Sequence, residues 1–168
     1  VTILKNAIYK NRVAGSYLFR GAKGSGKTSI ARILCRGANC SSFVDVGDLC
    51  GTCDGCTKAL RDALEIDAAS NRGVADVEEL IHTLQFRPKF VESKFIIIDE
   101  AHQLTSAALN ALLKIVEEPP KHIHFIFCTT KIRAIPTTDT AKAFETLASR
   151  CQVFDFTRIS SEDILTKL

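Results

Sequence analysis

The sequence predicts an α/β fold in which one parallel sheet is covered by helices on both faces. Two observations support this prediction. Short apolar runs alternate with segments of helical period, as they do in strand–helix–strand units, and 168 residues suffice for one domain. The five predicted strands are Ser16–Phe19, Ala63–Asp67, Phe95–Asp99, His124–Thr129 and Gln152–Phe156.

Apolar residues that recur every three or four positions indicate two helices between these strands. The first covers Val74–Leu84 and ends before Arg87-Pro88. Its apolar face consists of Val77, Leu80, Ile81 and Leu84. The second ends before Pro119-Pro120, which a helix cannot continue through. Its apolar stripe consists of Leu109, Leu112, Leu113 and Val116.

Bulk composition restricts the function classes only weakly. The chain is 46% hydrophobic and 24% charged, which is ordinary for a globular protein, and its formal charge of +3 neither demands nor excludes a nucleic-acid partner. Its apolar runs, such as Phe95–Ile98, fall far short of the roughly 20 residues of a membrane span. The N-terminus lacks a basic and apolar signal pattern, so we expect a cytoplasmic protein without membrane contact.

A glycine-rich loop between a strand and a helix indicates a phosphate-binding site. It follows Tyr17-Leu18-Phe19 and precedes a helix predicted over Thr28–Arg36. In such a loop, backbone N–H groups converge on phosphates at a helix N-terminus, Lys27 reaches the β- and γ-phosphates, and Thr28 ligates Mg²⁺. The predicted nucleotide-binding residues are Gly21, Ala22, Lys23, Gly24, Ser25, Gly26, Lys27, Thr28 and Ser29.

Two carboxylates end the apolar strand that follows about seventy residues later. Ligands of open α/β sheets lie at this carboxyl edge, so we expect Asp99 to bind Mg²⁺, through water, and Glu100 to orient the attacking water. The alternative is a pair of solvated acids. The phosphate loop upstream favours the catalytic interpretation and predicts a P-loop nucleoside triphosphatase.

Four cysteines within seventeen residues predict a structural zinc site. Their order is Cys40-x9-Cys50-x2-Cys53-x2-Cys56, with Gly51 and Gly55 permitting tight turns. Free surface cysteines and an iron–sulfur cluster are the alternatives. The aperiodic segment 39–57 that contains them is the predicted insertion. We expect the other three cysteines to be small buried hydrophobes, namely Cys35, Cys128 and Cys151.

Two further features have competing interpretations. The strand Phe125–Cys128 ends in Thr129 and Thr130, either of which is placed to contact the γ-phosphate or the lytic water, although threonines also simply terminate strands. Arg150 lies in Ser149-Arg150-Cys151, where an isolated arginine is usually a solvated surface residue.

The combined motifs resemble the γ/τ subunits of bacterial DNA polymerase III clamp loaders, which are AAA+ ATPases. The resemblance spans nearly the whole chain. Besides the phosphate loop and the four cysteines, the matching segments are Glu65–Asn71, Ile98–His102, Ala111–Lys114, Glu117–Pro120 and Ser149–Cys151.

The resemblance implies a motor subunit of a hetero-pentamer that uses ATP to open a sliding clamp and place it on primed DNA in the bacterial cytosol. It implies that Lys27, Thr28, Asp99 and Glu100 form the nucleotide site. One of Thr129 and Thr130 matches the sensor, and Thr130 is the predicted site residue. It also implies that Arg150 is an arginine finger acting on a neighbour's ATP, although the segment 137–148 is longer than the family pattern.

The resemblance also implies that residues 1–168 form an AAA+ nucleotide-binding domain, truncated at its N-terminus and without lid and collar, so that the isolated chain is nearly inactive. Two other functions remain open. Asp99-Glu100-Ala101-His102 also spells the second motif of DEAH-type nucleic-acid translocases. The chain is alternatively a non-hydrolysing scaffold subunit of a AAA+ assembly.

Overall fold

All five predicted strands are present in a computed structural model of the protein, which describes residues 2–43, 47–130 and 138–157. They form one fully parallel sheet in the order β2-β3-β4-β1-β5. The strands are β1 (Ser16–Gly21), β2 (Leu64–Asp67), β3 (Lys94–Asp99), β4 (Ile123–Thr129) and β5 (Gln152–Phe156).

Helices cover both faces of the sheet, as predicted. Among the described residues they are α1 (Thr2–Tyr9), α2 (Lys27–Ala38), α3 (Asp54–Asp62), α4 (Val74–Thr83), α5 (Ser106–Glu117) and α6 (Asp139–Ala148), with a 3₁₀ turn at Ala101–Gln103. One hydrophobic cluster joins the sheet to α1, α2 and α3. The other joins it to α4, α5 and α6.

The central strands owe their position to side chains that are buried on both faces. Along β3, Phe95 and Ile97 point into the cluster under α1 to α3, whereas Ile96 and Ile98 point into the cluster under α4 to α6. Every residue of β4 is buried. Because β1, β3 and β4 are parallel, their carboxyl ends meet at one edge of the sheet.

The two helices predicted from periodicity are confirmed. In α4, Val77 and Leu80 are buried, and in α5 the buried residues include Leu109 and Leu112. The Thr105 side chain begins α5 by accepting a hydrogen bond from the Ala108 amide.

Two helices lie where the sequence gave no clear signal. Helix α3 begins at Asp54, so the segment 39–57, expected to be aperiodic throughout, ends in the first turn of a helix. Helix α6 is capped by the Thr138 side chain and buries Leu147 in the cluster that contains α5. Across the described ranges, no helix has the length and apolar character needed to cross a membrane.

Candidate nucleotide site and cysteine cluster

The predicted phosphate loop joins the end of β1 to the start of α2. Gly24 and Gly26 adopt φ values of +78° and +89°, a region that side-chain-bearing residues rarely occupy. No side chain caps the N-terminus of α2. The loop therefore sits directly at a helix end whose amide groups and dipole favour an anion.

Two side chains of the loop are buried. Lys27 is 6% exposed, and its Nζ donates to the carbonyl oxygens of Gly21 and Ala22, each at 2.9 Å. The Ser25 hydroxyl is buried and has no hydrogen-bond partner within the described residues. A cationic amine and an unsatisfied hydroxyl donor inside a loop of this shape fit a phosphate group.

The first carboxylate of β3 lies directly beside the start of α2. The Thr28 hydroxyl donates to Asp99 Oδ2 at 2.8 Å, although 71 residues separate the two positions. Asp99 Oδ1 accepts from the Glu100 amide at 2.9 Å. A hydroxyl and a carboxylate are oxygen ligands of the kind that Mg²⁺ prefers, so the predicted pair fits the ion.

Glu100 has a left-handed backbone, with φ 48° and ψ 40°, although it is not glycine. This backbone conformation costs a non-glycine residue on the order of 1–3 kcal/mol of free energy, and residues that adopt it cluster at functional sites. Its Oε2 accepts from the Thr130 hydroxyl at 3.3 Å and lies 3.3 Å from His102 Nδ1. The structure thus brings the predicted sensor threonine to the predicted catalytic carboxylate.

Sequence reasoning missed the role of His102, which it noted only as part of a four-residue motif. The imidazole joins Glu100 to the end of β4, because its Nδ1 also lies 3.1 Å from Oγ1 of the completely buried Thr129. The available signal was its position two residues after Glu100, where a 3₁₀ turn folds the side chain back toward the strand ends.

Arg150 lies at the amino-terminal end of the parallel strands, at the opposite end from the phosphate loop. It follows α6 and precedes β5, which starts beside Tyr17 at the amino end of β1, whereas the phosphate loop follows the carboxyl end of β1. Its Nε donates to Glu117 Oε2 at 3.1 Å, and its Nη1 donates to the Thr146 carbonyl at 2.9 Å. Arg150 is therefore not part of its own chain's nucleotide site.

The four cysteines of the segment 39–57 converge as predicted. Their Sγ atoms all lie within 4.8 Å of one another. The Cys50–Cys56 and Cys40–Cys53 separations are 3.8 and 3.9 Å. A tetrahedral ion with metal–sulfur bonds of about 2.3 Å requires sulfur separations of about 3.8 Å, so the cluster fits zinc.

The thiols of the cluster differ in pKa, because burial raises the pKa of Cys56 to about 12 whereas backbone hydrogen bonds act on Cys50 in the opposite direction. Gly51 makes its turn at φ +78°, and Cys53 is the residue before α3. Hydrogen bonding from the Cys53 amide, with help from the Thr52 amide, lowers the pKa of Cys50 to about 6. Thiolates are the form that binds metals.

The remaining three cysteines lie among the apolar side chains of the two hydrophobic clusters. Cys35 and Cys128 are fully buried, as predicted. Cys151 is partly buried against the hydrophobic cluster that contains residues of α5. Burial raises the pKa of each of these three thiols to about 12. They remain protonated and behave as hydrophobic side chains.

Comparison with known proteins identifies the family to which the chain belongs. The sequence model of the family described as DNA polymerase III, delta subunit, matches residues 1–160. The chain belongs to this family. The resemblance to γ/τ subunits is also confirmed, because relatives with those names match nearly the whole chain.

Two of these relatives illustrate the extent of the match. DNA polymerase III subunit tau of Bacillus subtilis is 41% identical over 169 residues, which cover 98% of this chain and 28% of the relative. Subunit tau of Escherichia coli is 38% identical over 172 residues, covering 100% of this chain and 25% of the relative. The chain therefore spans about a quarter of the length of these relatives.

Solved structures confirm the α/β fold. A DNA polymerase III gamma subunit-related protein of Thermotoga maritima aligns with a TM-score of 0.65 at 23% identity, covering 96% of this chain and 46% of that one. The Bacillus subtilis DNA clamp loader delta protein aligns with a TM-score of 0.61 at 11% identity, covering 99% of this chain and 45% of that one.

Proposed function

We propose that this chain is the ATP-binding and ATP-hydrolysing domain of a motor subunit of a DNA sliding-clamp loader. The geometry at the carboxyl edge of the sheet is the main support. There, Lys27 lies inside a glycine-rich loop, Thr28 contacts Asp99, and Glu100 follows on the same strand end. Membership of the DNA polymerase III delta subunit family supports the assignment to replication.

Each residue of this edge has a distinct task. The residues 21–29 and the N-terminus of α2 hold the triphosphate, and the Lys27 ammonium neutralises its β- and γ-phosphates. Thr28 and Asp99 would hold Mg²⁺, Asp99 through water, and the bound ion supplies positive charge to the phosphate oxygens. Glu100 orients the attacking water, while Thr130 holds its carboxylate.

In the assembled complex, each nucleotide receives a further positive charge from a neighbouring subunit. We assign Arg150 as an arginine finger that stabilises negative charge on the ATP of a neighbouring subunit, because it lies at the opposite edge of the sheet from its own phosphate loop. The partners are the other subunits of a hetero-pentamer, the sliding clamp and primed DNA. The domain alone is then expected to hydrolyse ATP very slowly.

The cysteine cluster serves a structural purpose in this proposal. Four thiolates fill a tetrahedral shell and leave no position open for a substrate, so the zinc stabilises the segment 39–57 rather than taking part in hydrolysis. The cytoplasm is the compartment in which such thiols stay reduced and bind metal.

Clamp loading by the full-length protein tests the proposal. The protein is assembled with its partner subunits, and ATP-dependent transfer of a labelled clamp onto primed DNA is measured. We expect loading by the parent and none by Lys27→Ala, because that variant cannot neutralise the bound phosphates. Arg61→Ala, an exposed arginine at the end of α3, is the matched control and should load normally.

Two results would contradict the proposal. Loading that is equal with and without ATP would mean that the domain is a scaffold. Loading by Lys27→Ala at the parental rate would mean that the phosphate loop of this subunit is not the site that drives the reaction.

A further inference from the structure

The carboxylate of Glu100 is held from two separate elements. Thr130, at the end of β4, donates to Oε2 at 3.3 Å, and Nδ1 of His102, on the 3₁₀ turn, lies 3.3 Å from the same oxygen. Both contacts reach Oε2, and the one from Thr130 is a hydrogen bond. The arrangement leaves Oε1 to accept a proton from water.

Two neighbours of His102 favour one tautomer of its ring. The Glu100 carboxylate only accepts hydrogen bonds, so the neutral imidazole interacts favourably with it when Nδ1 carries the proton. On the other side of the ring, Nε2 lies 3.4 Å from Nε2 of the Gln103 amide, which only donates. A neutral imidazole protonated at Nδ1 satisfies both contacts.

His102 also reaches the strand end beside the nucleotide. Its Nδ1 lies 3.1 Å from the Thr129 hydroxyl, and Thr129 is completely buried in β4. The imidazole itself is only 11% exposed. A ring held this way fixes the distance between the end of β4 and a carboxylate whose backbone is in a left-handed conformation.

We propose that His102 is a positioning residue for ATP hydrolysis, whose Nδ1–H holds the Glu100 carboxylate against the end of β4 with one oxygen turned toward the attacking water. The inference rests on the proposed function and concerns the same site. His102 touches neither substrate nor metal in this scheme. It acts only through Glu100, so its removal should slow the chemical step without weakening nucleotide binding.

A pair of replacements of equal shape separates the hydrogen bond from the packing of the ring. Asparagine places its amide Nδ2 where histidine has Nδ1, and leucine has the same branched shape without a donor. In the assembled complex, we expect His102→Leu to lower kcat roughly 10-fold or more, with the ATP Kd changed less than about 2-fold. His102→Asn should retain kcat within about 3-fold of the parent.

A second measurement distinguishes positioning from a general loss of structure. If His102 acts through Glu100, adding His102→Leu to Glu100→Gln should cause no further loss of turnover, because the group it positions has already been removed. His82→Leu, an exposed histidine on α4, is the control for the replacement itself and should behave as the parent.

The outcomes separate the inference from the function on which it rests. A parent complex without ATP turnover would overturn the proposed function, and the inference with it. An active parent with a fully active His102→Leu variant would overturn only the inference. So would equal losses in the Asn and Leu variants, a matching loss of ATP affinity, or additive losses in the double variant.

Discussion

The nucleotide edge and the cysteine cluster are ordered by different means. At the nucleotide edge, the functional residues lie at the ends of buried strands, and the side chains behind them, such as Phe19 and Ile97, are 0% exposed. In the cluster, three of the four cysteines are only partly buried, and the described residues between α2 and α3 are mostly loop. The hydrophobic core positions the first region, and we propose that a metal ion orders the second.

This difference shows how one small domain combines two kinds of site. A site that binds and releases a nucleotide needs side chains held in place whether or not the ligand is bound, and strand ends provide this. A loop with few apolar residues cannot bury enough surface to order itself, and a metal shell replaces that missing core. Core mutations and metal removal should therefore affect the two regions separately.

The largest expected effect is on the cysteine cluster. We expect one zinc per chain in the parent, measured by elemental analysis after purification without added metal, and almost none in Cys56→Ser. Structural zinc contributes about 10–16 kcal/mol of apparent binding free energy in small zinc peptides, so loss of a ligand should disorder the segment 39–57. ATP affinity should change little.

Cys151→Ser is the control, because this thiol lies outside the cluster and should leave the zinc content unchanged. Iron with visible absorbance, or a parent without metal, would contradict the zinc assignment. Loss of ATP binding in Cys56→Ser would contradict the independence of the two regions.

The next effect belongs to Arg150. In mixed complexes where only the neighbouring site is competent, Arg150→Ala should lower turnover at that site by on the order of 10³–10⁵-fold, the range known for arginine fingers. Nucleotide binding by the mutated subunit itself should persist. Glu117→Gln, which removes the carboxylate that holds Arg150 within its own chain, should have a far smaller effect. Full turnover beside Arg150→Ala would make this residue a surface arginine.

A substitution in the hydrophobic core tests whether core packing stabilises the strands that carry the nucleotide site. Ile97→Ala should lower the free energy of unfolding by about 2–5 kcal/mol, because the buried side chain projects from β3 into the hydrophobic cluster under α1 to α3. Denaturant unfolding measures this, with Val153→Ala on β5, 39% exposed, as the milder control. Zinc content should stay at one per chain. Equal effects of the two substitutions would mean that burial does not define this edge.

The smallest expected effect concerns an exposed ion pair near the site. Arg32 on α2 makes two hydrogen bonds with Glu65 on β2, at 2.9 and 2.6 Å, and both side chains are 40% or more exposed. Solvent screening should limit their coupling to below about 1 kcal/mol. A double-mutant cycle with Arg32→Ala and Glu65→Ala measures it, and added salt should weaken it further. A coupling of several kcal/mol would place this pair among the determinants of the fold.

The sequence predicted most of the fold because the central strands carry continuous apolar runs and two helices carry clear apolar stripes. It missed α6, whose short apolar pattern depends on contact with α5, and α3, which begins inside a glycine- and cysteine-rich segment. The phosphate loop, the two carboxylates and the four cysteines were predictable because their chemistry depends on local spacing.

The contacts that lie between distant segments could not be predicted. The Thr28–Asp99 hydrogen bond and the linkage of His102 to Thr129 and Glu100 depend on how strand ends meet in the folded sheet. The hydrophobic periodicity of a sequence does not show which strand ends come into contact. The left-handed backbone of Glu100 is likewise a result of tertiary packing, since glutamate does not favour it.

ATP turnover by Glu100→Gln in the assembled full-length complex tests the central claim most directly. The substitution keeps the shape of the side chain and removes the carboxylate that orients water. We expect ATP affinity to stay within about 2-fold of the parent while turnover at that site falls by on the order of 10²–10⁴-fold. Hydrolysis at the parental rate, or a parent that binds ATP and never hydrolyses it, would contradict the account and favour a scaffold subunit.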